Sequence, residues 1–375
     1  MPETCEYLAP DYYPSFACKM GACRSCCCDG WNVSLSMQDY FRLLGVECKK
    51  QLRDRLDVAL RPALNPTPEH YAEIEHRFNG DCPLRMADGR CAIHAQLGEM
   101  QLPVICRLYP RALRGEGDLE CSCACSCERV VEMLLERAEP LKFIPLRLAQ
   151  TPPQQGNTVF RERFAGEQAL RLKLIQLLQD GARPLPQRLW RLGLAMAQLE
   201  DGADAGFDPA ALPESNPVPN AAAPAAALEA ALKLVEMLDE RSVGLRQFGE
   251  TALQCLDTDV DHYAQACARF NADFPRWASG FSNLIANHMF FTRFPYSDGS
   301  ESLRHEFASL CALYAAMRVL AMGYTARHGG GDALVDVLAA LFRLADHSSF
   351  HHYAAVMLGE MHFDAPKQLA ALLAL

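Results

Sequence analysis

The sequence predicts a mainly α protein in two parts, an N-terminal cysteine-rich module packed on an all-α C-terminal helical domain. Three observations predict it. Fourteen of the 17 cysteines lie within the first 127 residues, and only Cys255, Cys267 and Cys311 lie beyond. From about Phe160 onward apolar residues recur at helical spacing, while period-two alternation is scarce. No Gly-x-Gly-x-x-Gly follows a strand-like run to suggest a Rossmann-type domain.

Composition limits the function classes. At 375 residues and 50% hydrophobic, the chain can bury a substantial core. A formal net charge of -10 and a pI near 5.6 set its mean field against nucleic acid and anionic membranes, so neither is an expected partner. The opening "MPETCEYLAP" lacks the basic and apolar segments of a secretory signal, which makes the cytoplasm the expected compartment. Even the apolar stretch "ASLCALYAAMRVLAMGY" carries Arg318 in its middle, so no membrane insertion is expected.

Taken in order, residues 1–140 form the cysteine-rich part. "NPTP" at Asn65–Pro68 and "MADGR" at Met86–Arg90 have turn composition. Two helices are expected there, one over Ser36–Leu60 with Ser34 and Ser36 as candidate N-caps, the other over Arg129–Ala138. Residues 141–375 form the all-α part. In "EQALRLKLIQLLQD", Leu170, Leu174, Leu177 and Leu178 make one apolar stripe, the pattern of core packing. A low-complexity loop is expected over 201–227, rich in Ala, Pro, Gly and Asp without a strong period. Leu228, Ala231, Leu232, Val235 and Leu238 then resume a helical face, and further helices are expected near 243–256, 258–272, 278–292, 301–327 and 331–346.

The cysteines fall in four main blocks. Cys18, Cys23 and Cys26 have the C-x4-C-x2-C spacing of plant-type ferredoxins, with Cys27 and Cys28 as alternatives. Cys82 and Cys91 flank the Met86–Arg90 turn, Cys106 lies in "VICRLYPRA", and Cys121, Cys123, Cys125 and Cys127 share "ECSCACSCER". In a reducing compartment such density points to metal rather than disulfides. Soft thiolates suit an iron–sulfur cluster or zinc, each normally closed by four ligands. Fourteen thiols exceed one site, so either two sites exist or the surplus are spare, structural or redox thiols. Arg107 and Arg111 flank Cys106 and would stabilise a thiolate-bound cluster or steer an anionic ligand; solvated surface charge is the alternative. Trp31 could lid a cluster and otherwise packs in the core, and His94 could be a fourth ligand and otherwise packs beside Cys91.

These blocks carry a resemblance. "FACKMGACRSCCCDGW", "CPLRMADGRCAIHAQLG", "VICRLYPRA" and "CACSCER", in this order, resemble the flagellin lysine N-methylase (FliB-type) family, itself related to small cysteine-rich zinc- or iron-chelating proteins. "NLIANHMFFTRFP" resembles that family's helical Asn-x-x-x-Asn stretch ending in Phe-Pro. The resemblance places the family's cysteines on Cys18, Cys23, Cys27, Cys28, Cys82, Cys91, Cys106 and Cys127, leaving Cys26, Cys121, Cys123 and Cys125 as additions. It implies transfer of a methyl group from S-adenosylmethionine to the ε-amine of flagellin lysines by a protein carrying a 4Fe-4S cluster, with zinc as the alternative metal. The sequence has no C-x3-C-x2-C loop of the radical type.

Lysine methylation needs a neutral amine and a stabilised sulfonium. Asn283 and Asn287, one turn apart in an otherwise apolar helix, together with Tyr296, form the candidate site for S-adenosylmethionine or the lysine. The alternative is that both asparagines bond to neighbouring backbone and lock the two domains together. His347, His351 and His352 could suggest a second metal site, but surface histidines or helix capping suit them better. Two other function classes stay open at this point: a zinc- or iron-chelating structural protein, and an electron-transfer or redox-sensing protein.

Overall fold

The computed structural model describes residues 4–24, 27, 33–77, 81–114, 119–149, 164–201, 207–215, 217–218, 225–297 and 302–375. Two compact units emerge. The first is drawn from Met1–Leu8, Pro14–Cys123 and Pro145–Phe160, the second from Ala9–Tyr13, Ala124–Ile144 and Arg161–Leu375.

The first unit mixes short strands with short helices. Its strands are β2 (Val33–Leu35), β3 (Leu60–Pro62), β4 (Ala72–Ile74), β5 (Arg111–Arg114) and β6 (Glu120–Cys123), with the larger parts of β1 (Cys5–Pro10) and β7 (Phe143–Leu148). Its helices are α1 (Met37–Gly45), α2 (Lys50–Ala59), α3 (Ala92–Leu97) and α4 (Val104–Leu108). One sheet has the order β5-β6-β1-β7, with β1 parallel to β6 and β5 antiparallel to it. The other, β2-β4-β3, is antiparallel, with Val33 and Leu60 both opposite Ile74. Leu35, Leu43, Leu52, Leu56, Ile74 and Ile93 form the core between this sheet and helices α1 to α3.

The single helix expected over Ser36–Leu60 is instead two. Ser36 caps α1 by accepting from Asp39 N, as its sequence position suggests. The break after Gly45 is held from the next helix, because Arg53 donates to the carbonyls of Leu43, Leu44 and Val46. That guanidinium satisfies carbonyls a continuous helix would have paired internally.

The second unit is helical. It contains α5 (Glu128–Glu136), α6 (Glu167–Leu178), α7 (Leu185–Glu200), α8 (Ala225–Arg241), α9 (Val243–Cys255), α10 (Val260–Asp273), α11 (Trp277–Thr292), α12 (Leu303–His328), α13 (Gly330–His347), α14 (Phe350–Glu360) and α15 (Pro366–Leu373). Every helix expected from the sequence beyond residue 160 is present to within a few residues. α8 begins at Ala225, inside the stretch expected as a loop. The described part of that stretch holds a 3-10 turn at Pro209–Ala211, capped by Asp208; residues 202–206, 216 and 219–224 lie outside the described residues.

Two helices are apolar on nearly all sides and are therefore interior. α12 is packed by α7, α8, α9, α13, α14 and α15, and α11 by α5, α6 and α13. α12 is long and apolar enough to cross a membrane, but 94% of its apolar window is buried inside the protein. Arg318 sits mid-helix with its guanidinium 4.1 Å from the Trp277 ring centroid, and its Nε donates to the Leu375 main-chain oxygen at 2.8 Å. The charge that interrupts the apolar run is thus housed by an aromatic face and a carbonyl.

Candidate functional site

Three thiols from two of the sequence blocks gather at the first unit's core. Cys82 is buried within it, and Cys91 and Cys106 pack against it. Cys91 stands at the N-cap position of α3 and bridges to Arg85 across the turn. Cys106 rides on α4, whose position is fixed from α1. Asp39 is buried, accepts from Val104 N at 2.9 Å, and is bound by Arg42 at 2.6 Å. Arg42 also donates to the Gln101 and Leu102 carbonyls that lead into α4. Burial, and then the charges of Cys91, Cys82 and Asp39, push the Cys106 thiol well above its ordinary range.

The first cysteine block reaches this region through two glycines. Gly21 lies between Cys18 and Cys23, Gly89 lies two residues before Cys91, and both have positive φ, +105° and +83°. A Cβ on Gly89 would stand 2.5 Å from the Gly21 carbonyl oxygen, and one on Gly21 would stand 2.9 Å from Arg90 N. Only bare backbone permits this contact. Arg111 fixes the entry to the same block, its guanidinium 4.8 Å from the Phe16 ring and donating to the Phe16 carbonyl at 3.1 Å. Cys28, Cys26 and Trp31 lie outside the described residues.

In donor type, Cys82, Cys91 and Cys106 suit a soft metal. Among the described residues, however, no three histidine, cysteine or carboxylate side chains close to metal-binding distance. The thiols share one hydrophobic core without completing a coordination sphere among the described residues.

A buried polar seam runs beside α11 in the second unit. Asn287, fully buried, accepts from the Tyr12 hydroxyl at 2.6 Å and donates to Cys125 Sγ at 3.1 Å. Cys125 N donates to Asp346 Oδ2 at 2.7 Å, and Asp346 Oδ1 pairs with His288 Nδ1 at 2.7 Å. Ser126 Oγ meets His347 Nε2 at 2.8 Å. Asn283 donates to the Glu139 carbonyl at 3.3 Å. Gly280 lets α5 press close, since a Cβ there would stand 2.7 Å from Leu135 Cδ2. Just past α11, Arg293 takes a left-handed turn (φ 59°) and binds Glu167 at 2.7 Å, both buried, while Tyr296 meets Phe164 edge-on.

Residues 171–375, more than half of the chain, match the model of the FliB lysine N-methylase C-terminal domain. The chain belongs to the FliB lysine N-methylase family. The lysine-N-methylase of Salmonella choleraesuis is 27% identical over 135 residues, covering 34% of this chain and 31% of that protein. The lysine-N-methylase of Salmonella typhimurium is 25% identical over 131 residues, with the same coverage. The flagellar biosynthetic protein FliU of Salmonella muenchen is 24% identical over 131 residues, 34% of this chain and 75% of that protein. This chain therefore spans about a third of the two methylases it matches, 31% of each. No solved structure matches it.

Within this FliB-family chain, Cys18, Cys23, Cys27, Cys82, Cys91, Cys106, Arg107 and Arg111 belong to the first unit. Cys127, at the N-cap position of α5, belongs to the second, as do Asn283, Asn287 and Tyr296. The run Cys121–Cys127 is divided: Cys121 and Cys123 lie in β6, whereas Cys125 joins the α11 seam. Cys121 and Cys5 flank buried Tyr7, whose phenol burial and those two thiols push up to about 12. Sequence reasoning missed Asp39, Tyr12, Cys125 and Asp346. The only signals available were Asp39 three residues after the Ser36 cap and the glycines set inside the cysteine blocks.

Proposed function

We propose that the chain is a protein-lysine N-methyltransferase that moves a methyl group from S-adenosylmethionine to flagellin lysines in the cytoplasm. The family match over residues 171–375 carries this reading. The names of the relatives, two lysine-N-methylases and a flagellar biosynthetic protein, favour it. Transfer requires the amine to be neutral and aligned with the methyl carbon, in surroundings fixed before the reaction. The α11 seam supplies such fixed polar groups in the buried interior, with Asn287 held at both ends of its amide by Tyr12 and Cys125. In this reading Asn283, Asn287 and Tyr296 organise the region where the methyl donor binds.

The thiol group at Cys82, Cys91 and Cys106 is the place proposed for a 4Fe-4S cluster, with zinc as the alternative and completion from the first block at Cys18, Cys23 or Cys27. The fit is one of donor chemistry and shared burial. A cluster supplies a soft thiolate-bound iron centre that cross-links the loops carrying these cysteines. Asp39 and Arg42 keep α4 in place, so that Cys106 faces its partners before any metal arrives.

Anaerobic purification with iron, sulfide and zinc analysis, followed by incubation with S-adenosylmethionine and flagellin and mass spectrometry of the flagellin lysines, tests the proposal. Iron with sulfide and added methyl groups is expected, and Cys106→Ser should lose the metal. A metal-replete protein that leaves flagellin unmodified would refute the activity, and a colourless protein with stoichiometric zinc would replace the cluster.

A further inference from the structure

A cavity of about 370 Å³ opens between α8 and α9 in the second unit. Glu236, Asp239 and Glu240 line it from α8, and Arg246, Glu250 and Leu253 from α9. Among the described residues, four carboxylates and one guanidinium line it. Glu236 is also bound by Lys233 at 2.6 Å.

Asp239 differs from the other three acids. Glu236, Glu240 and Glu250 are exposed, whereas Asp239 is only 5% exposed and its Oδ1 has no hydrogen-bond partner among the described residues. The space for this carboxylate comes from Gly249 in the middle of α9, where a Cβ would overlap both Asp239 oxygens. Asp239 also sits in the last turn of α8, where the helix dipole already disfavours an anion and favours a cation. A buried carboxylate with one oxygen left without a partner among the described residues calls for a positive partner in that place.

We propose that this cavity binds the primary ammonium group of a lysine side chain, with Asp239 as the anchoring carboxylate and Leu253 against the methylenes. The assignment rests on the methyltransferase reading, for which it names a docking subsite that holds a charged, non-reacting lysine of the protein substrate, apart from the α11 seam. The volume falls within the range of small-ligand pockets, about 300–1,000 Å³. Among the described residues no three acidic side chains close to metal-binding distance, so the acids surround an organic cation better than a bare ion. Burial, and then the charge of Glu250, push Asp239 up to about 7 against the pull of Arg246. A cation in the cavity relieves both effects.

Isothermal titration of the full chain with Nα-acetyl-lysine amide and its norleucine counterpart tests the site. The lysine amide should bind at least tenfold more tightly than the norleucine amide, which lacks the amine. Asp239→Asn should remove that preference with the circular dichroism spectrum unchanged. Should Asp239→Asn not fold, Glu250→Gln at the rim should weaken the lysine amide severalfold. Equal binding of the two amides, affinity unmoved by these variants, or displacement of the lysine amide by calcium chloride would overturn the proposal. Methylation of flagellin is assayed separately. A chain that methylates flagellin yet binds lysine amide without regard to Asp239 loses this site and keeps its activity. Asp239-dependent binding in a chain that methylates nothing supports the site and refutes the reaction.

Discussion

Replacing Asp239 by asparagine should change how stability depends on pH. The Asp239 carboxyl rises from its ordinary 3.8 to about 7 in the fold, through burial first and Glu250 second. A raised carboxyl binds more protons folded than unfolded, so the fold loses stability as pH climbs from about 4 to about 7 and regains it on acidification. At about 1.36 kcal/mol per pH unit, the full penalty above pH 7 is about 4 kcal/mol, and solvent screening at the cavity mouth brings it to about 2–4 kcal/mol. Asparagine is neutral at every pH and keeps the shape. The variant should therefore gain on the parent chain by about 1–3 kcal/mol between pH 5 and pH 8, where this carboxyl sheds its proton. Urea denaturation followed by circular dichroism at the two pH values measures it. Because other titrating groups are common to both chains, only the difference between them counts. A difference that stays constant from pH 5 to pH 8 would refute the reasoning, and one that shrinks toward pH 8 would reverse its sign.

Gly89→Ala should destabilise the first unit by about 1–3 kcal/mol, since it combines a positive φ with a Cβ set against the Gly21 carbonyl; metal content measured beside denaturation midpoints should fall with it, and an unchanged midpoint would deny the loop contact. Asn287→Ala should cost about 2–3 kcal/mol by stripping partners from the Tyr12 hydroxyl and Cys125. It should weaken binding of S-adenosylmethionine or flagellin, and leave the iron or zinc content as it was. Full flagellin methylation by a folded Asn287→Ala protein would remove the α11 seam from the proposed site.

How much of this was legible in the sequence varied by element. The helix expected over 278–292 is found at Trp277–Thr292, because caps and apolar spacing are local signals that survive into the fold. Strands β2, β3 and β4 are three residues each, too short for an alternating pattern to declare itself. The gap between α1 and α2 depends on Arg53 reaching back to carbonyls seven to ten residues earlier, an event that composition does not announce. Cys125 looked like a surplus thiol because Asp346, which accepts its amide, is 221 residues away. Asp239 reads as one more solvated acid in "LEAALKLVEMLDER", and only the bare backbone of Gly249 on the next helix buries it.

The Arg318 arrangement bears on how the helical unit comes apart. Its guanidinium reaches the Leu375 main-chain oxygen, and the Tyr263 hydroxyl donates to that same oxygen at 3.0 Å. One carbonyl therefore ties the middle of α12 and the first turn of α10 to Leu375, two residues past α15. Pulling the segment after α15 away would strip two interior groups of their acceptor at once. Detachment of α15 therefore unlatches α10 and α12 together, so that the three helices open as one event and their amides should exchange hydrogen in step.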